Sequence, residues 1–151
     1  MTRPPQLPDV AAVWRRRIEI DLDGGPVAVI ALDDLVQTKK TQRDKDWPII
    51  GALIEADMVR HRDDPAGDQA HFWLREARGA DVLIELATTF PDVADNVRQT
   101  RPLIGAAQER DRSTLELELA REQIRGKQAD REYWEPLRAE LEHLRHEQRR
   151  G

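Results

Sequence analysis

Apolar and polar residues alternate along one short stretch near the start of the chain, and beyond it the period changes. Ile18, Ile20 and Leu22 alternate with Arg17, Glu19 and Asp21, the period-two pattern of a strand with one wet face. Asp23, Gly24 and Gly25 supply turn chemistry, and Val27, Val29 and Ile30 carry β-branched side chains into a second, more buried strand. The pattern predicts a hairpin. Ahead of it Pro4, Pro5 and Pro8 favour extended backbone, Asp9 can cap a brief helix over "PDVAAVW", and the core is expected to start near Trp14.

From residue 32 the period becomes helical. Leu32, Leu35 and Val36 recur at helical spacing around Asp33, a candidate cap, and predict a short helix ending at Lys39 or Lys40. The polar run "TQRDK" interrupts it. Asp46 can then cap "WPIIGALIEADMV", with Pro48 in the first turn, where its missing amide hydrogen costs nothing. Ile49, Ile50, Leu53 and Ile54 form a stripe that should pack against the hairpin.

After "RHRDDPAGD", which reads as a linker, the signals are helical. Helices are expected over 69–78 and 80–89, from a cap at Asp92 through "VADNVRQT", and briefly in "RPLIGAAQ". In "RSTLELELAREQI" leucines alternate with glutamates, but Ser113 followed by Glu116 makes a capping box and favours helix. Residues 128–150 read as an amphipathic helix along Tyr133, Leu137, Leu141 and Leu144, which Pro136 either starts afresh or kinks. The chain is therefore expected to be α+β and mostly α. It divides into an N-terminal extension (1–13), a hairpin, helix, helix unit (14–60) and a helical region (68–151) with a long C-terminal helix.

Composition narrows the function classes. The 151 residues suit one compact domain, and 35% of them are charged, a balance that fits solvated helices around a modest core. A formal net charge of -5 argues against general attraction to nucleic acid or anionic membrane, while leaving room for a local basic patch. With no cysteine, disulfides, thiolate metal sites and a cysteine nucleophile are excluded. No apolar run approaches signal-peptide or membrane-spanning length, so a cytoplasmic location is expected. His143 and His146 lie three apart in a charge-dense tail, which suits a solvated pair better than metal ligands.

One segment carries a resemblance. In "LDDLVQTKKTQRDKD", Leu32, Asp33, Asp34, Leu35 and Lys39, followed by Arg43, Lys45 and Asp46, match a pattern of the type L-[DE]-D-L-h-x-x-K, a basic residue and K-D before an apolar helix. With the preceding hairpin, residues 14–55 resemble the distal part of a small bacterial nucleotidyltransferase-like domain of the polymerase-beta superfamily. The resemblance implies an upstream Gly-Ser turn and paired strand carboxylates that hold divalent ions in active members. No Gly-Ser dipeptide occurs in this sequence.

The resemblance therefore implies a truncated, non-catalytic nucleotidyltransferase-like protein that acts by binding, through residual nucleotide or phosphate contact or a protein partner. Lys39, Lys40, Arg43 and Lys45 are the candidate phosphate contacts, without catalytic or metal-ligating residues; no cofactor is implied, except Mg²⁺ if nucleotide binding is retained. Two alternatives stand beside it. In one, a partner chain supplies the missing carboxylates; in the other, the chain is a helical structural adaptor. A homo-oligomer is expected as an option because a two-stranded hairpin alone is marginal and another chain can extend its sheet. Glu19, Asp21 and Asp23 could share a strand face, but they also read as its polar side, and Asp33 and Asp34 read as helix-cap and dipole residues. The aromatics are expected mainly as core anchors, with Trp134 near Arg131 and Arg138 a possible partner-facing surface.

Overall fold

The computed structural model describes residues 9–40 and 46–148, with side chains through residue 147. Arg43 and Lys45 lie outside the described residues. Among these residues the order is α1 (Val10–Arg16), β1 (Ile18–Leu22), β2 (Gly25–Val29), α2 (Leu32–Lys39), α3 (Asp46–His61), α4 (Gln69–Glu76), α5 (Ala80–Thr89), α6 (Pro91–Arg98), α7 (Ile104–Gln108) and α8 (Arg112–Gln148). The class is α+β, dominated by helix and ending in one long helix, as the periodicities predict.

α1 forms because the Asp9 carboxylate accepts from the Ala11 amide at 3.2 Å, which satisfies one of the unpaired donors of the first turn. The strands pair antiparallel, with Ile18 opposite Val29, Ile20 opposite Val27 and Leu22 opposite Gly25, leaving Asp23 and Gly24 as the two-residue loop. Gly25 closes it at φ +111°, a backbone region open to glycine without a Cβ clash.

That register puts Ile18, Ile20, Leu22, Val27 and Val29 on one face, as expected. The burial is not as expected. These five side chains are 36–59% exposed, with Val27 and Val29 of β2 only somewhat less exposed than their partners in β1 and neither of them buried, and Trp14, at 60% exposed, does not begin the core. The stripe of α3 turns instead towards α2 and α4, burying Ile50, Ile54 and Met58 while Ile49 stays exposed. Period-two alternation fixes which residues share a face but not what covers that face.

One buried cluster joins Val36 of α2 and Ile50 and Ile54 of α3 to Trp73 and Leu74 of α4, Leu83 of α5, Val97 of α6, Ile104 of α7 and Leu115 of α8. Residues on both sides of the 62–68 link thus share one buried cluster. Burying side chains of this size stabilises by about 1.5–3 kcal/mol each before entropy is charged against it.

Caps differ in detail from the expectation. Asp33 lies in the first turn of α2, behind Ala31, and its carboxylate accepts from the Asp34 amide at 2.9 Å. Asp92 likewise falls in the first turn of α6, behind Pro91. At α8 the capping residue is Asp111, which accepts from the Thr114 amide at 3.1 Å, so the Ser113 box does not form. The helix then runs 37 residues without interruption through Pro136, and no second helix starts there. Among the described residues no helix is long and apolar enough to cross a membrane.

Candidate functional site

The hairpin is flanked by an ion pair that the sequence pattern did not single out. Arg16, in the last turn of α1, grips the buried Asp34 of α2 with both Nε, at 3.0 Å, and Nη2. Asp34 thereby ties α1 to α2, a structural role in keeping with the cap-and-dipole reading of these acids. Glu19 and Asp21 lie exposed on the polar face of β1. Among the described residues no group of three histidines, aspartates or glutamates converges in a way that could hold a metal ion.

A recess of about 700 Å³ opens between the C-terminal ends of α2 and α4, the start of α3 and the middle of α8. Lys40, Arg75, Arg78 and Arg101 line it, against three carboxylates, Glu76, Glu122 and Asp130. Among the described residues, four cations facing three anions leave one positive charge in surplus.

Most of these charges are spoken for. Glu76, 3% exposed, accepts from Gln37 at 3.1 Å, pairs with Lys40 at 2.7 Å and takes the Arg75 Nε at 3.1 Å. Burial pushes its carboxyl pKa up, but Lys40 and Arg75 outweigh burial and hold it below the ordinary range. Arg101 is buried and bidentate to Glu122, at 3.0 and 2.6 Å, and its third nitrogen donates to the Leu74 carbonyl at 2.8 Å. That clamp holds α8 to the end of α4 and forms one wall of the recess.

Arg78 is different. It follows α4 in the short link to α5, where "ARG" gives no pattern that would mark it in the sequence. Its guanidinium lies flat on the Trp47 ring, with Cζ 3.7 Å from the centroid, an arrangement that suits a cation and an indole face. Among the described residues its buried Nε and Nη1 meet no acceptor, and neither does the buried Trp47 Nε1. Burial also brings the Arg78 pKa down to about 10, because the charge has lost water without gaining a paired carboxylate. Behind the stack, Trp47, Arg78 and Glu122 also border a second recess of about 380 Å³.

Gly126 of α8 lies close to Trp47, where a Cβ would stand 3.3 Å from Cη2 of the ring. Of the aromatics expected as core anchors, Trp73 is one, with its Nε1 donating to Asp57 at 2.8 Å. Trp47 lies instead in the wall of the cleft, and Trp134 is 40% exposed with its Nε1 donating to Asp130 at 3.2 Å.

The basic residues read from the sequence separate in space. Lys40 reaches the cleft; Lys39 points to the buried Asp46, 3.8 Å away, and Arg43 and Lys45 fall outside the described residues. The cleft can therefore accept an acceptor-rich ligand, with Lys40 at one side and the Arg78 and Trp47 donors at another. No family model, no curated protein and no solved structure matches this chain.

Proposed function

We propose that the chain is a nucleotidyltransferase-like protein that acts by binding rather than by catalysis, and that the cleft beside Lys40 receives a nucleotide-sized, phosphate-bearing ligand. The observation that carries this reading is the placement of Lys40, which neighbours the motif lysine and is one of the four basic residues read from the sequence as phosphate contacts, in the wall of a 700 Å³ recess where the described residues leave a surplus of positive charge. Its absence of catalysis rests on the sequence, which has no Gly-Ser dipeptide to open the family's carboxylate motif. Lys39, Arg43 and Lys45 belong to the same basic segment and are proposed as supporting contacts, with Mg²⁺ entering only on the phosphates.

Calorimetric titration with nucleoside triphosphates, with and without Mg²⁺, tests the reading. Saturable binding that weakens in Lys40→Ala supports it. An absence of binding sinks it, and nucleotide transfer by the chain unaided sinks its non-catalytic half.

A second reading has its own support in the exposed hairpin. Ile18, Ile20, Leu22, Val27 and Val29 form an uncovered apolar face on a two-stranded sheet, which is marginal by itself. In this reading a partner chain carrying the strand carboxylates docks there and completes an enzyme. Sedimentation of the purified protein as a monomer, unchanged by Ile20→Lys, speaks against self-association through that face.

A further inference from the structure

We infer that Arg78 and Trp47 form a phosphoryl subsite within the cleft, a specific ligand contact that rests on the binding function proposed above and refines it. Three observations converge. Arg78 Nε, Arg78 Nη1 and Trp47 Nε1 are buried donors without acceptors among the described residues, and they come from two side chains stacked at 3.7 Å. Buried donors are almost always satisfied, so three gathered in the wall of one recess mark a place where acceptors arrive from outside the chain.

The carboxylates nearest to hand are already committed. Glu76 is taken by Gln37, Lys40 and Arg75, and both Glu122 oxygens are taken by Arg101. Neither satisfies the open nitrogens of Arg78, although each acts on its charge from a distance. Those clamps also fix the walls around Arg78, so the site is built before the ligand arrives.

The donor set selects the ligand chemistry. Nε and Nη1 belong to different edges of the planar guanidinium, so one oxygen does not serve both. The indole N–H adds a third direction. A ligand that brings several negatively charged oxygens to different sides of the guanidinium meets them, and a chain of phosphoryl groups has that form and charge. Lys40, at another wall of the same recess, is available to a second phosphoryl group of the same ligand.

The test uses the full chain, with inorganic pyrophosphate as the titrant and malonate as a dicarboxylate control, read by calorimetry. Pyrophosphate is expected to bind, to weaken about tenfold or more in Arg78→Met, and to weaken in Trp47→Phe, which keeps the ring but removes the donor. Arg78→Met keeps an apolar stem over the ring, and near-ultraviolet dichroism of each variant confirms that the fold is retained. Equal affinity in native and variant chains overturns the inference, as does a preference for malonate. Nucleoside triphosphates that bind independently of Arg78 and Trp47 leave the broader reading standing and remove this one. Pyrophosphate binding through Arg78 without nucleoside triphosphate binding does the reverse.

Discussion

The Arg78 guanidinium stacks on the Trp47 indole at 3.7 Å, and the two side chains together hold three buried N–H donors that find no acceptor among the described residues. Stacking offsets part of the cost of burying the charge, but an indole face accepts no conventional hydrogen bond in the plane of the guanidinium. The unliganded protein therefore carries a local penalty at its candidate site.

Relieving that penalty should stabilise the free protein. Arg78→Met is expected to gain about 1 kcal/mol in unfolding free energy, since unmatched buried donors cost about 1–3 kcal/mol and methionine still covers the ring. The folded Arg78 pKa, about 10, lies below the ordinary arginine value because burial takes water from the charge, so folding disfavours its proton. The advantage of the variant is then full below about pH 10 and shrinks above it, as the folded native protein sheds that proton while the unfolded chain keeps its own. Denaturation midpoints of both proteins on either side of that pH check the sign.

Arg101 has the opposite character. It is buried, bidentate to Glu122 and bonded to the Leu74 carbonyl, so Arg101→Ala leaves a carboxylate and a carbonyl without partners. Glu122 remains about a third exposed, and water recovers part of the loss. A cost of about 2–3 kcal/mol is expected in denaturant unfolding.

Acid should act through Glu76. Its folded pKa lies below the ordinary value because Lys40 and Arg75 outweigh burial, so its contribution is present above the unfolded value of 4.5 and is lost as pH falls through the folded one. Glu76→Gln should therefore be less stable than the native chain at neutral pH, and the gap should close in the acid range. Thermal midpoints at neutral and acid pH give the comparison.

Gly126→Ala separates stability from binding. Alanine favours helix over glycine by about 1 kcal/mol, but the new methyl stands 3.3 Å from the Trp47 ring, so the ring that stacks with Arg78 must shift by a few tenths of an ångström. The expected outcome is a melting temperature close to that of the native protein together with weaker pyrophosphate binding, measured on one preparation.

The elements were legible in the sequence where a period runs long enough to count. The hairpin, the stripe of α3 and the leucines that make α8 helical all follow from local spacing. Their packing was less legible, because the apolar stripe of Ile50 and Ile54 announces a buried face without naming its partner. The candidate site was partly legible. Lys40 stands in a run of basic residues and reaches the cleft, whereas Arg78 is a lone arginine between two helices and Arg101 a lone arginine after one. Their importance comes from what the fold sets beside them, Trp47, Leu74 and Glu122, each distant in sequence.

The most direct test of the central claim is the indole region of a proton–nitrogen correlation spectrum during titration with pyrophosphate. The chain has four tryptophans, so the signal that disappears in Trp47→Phe identifies Trp47 Nε1. The account predicts that this signal moves downfield and saturates as an acceptor oxygen arrives, while the Trp73 signal, bonded to Asp57, stays in place. A Trp47 signal unmoved at saturating pyrophosphate would contradict it.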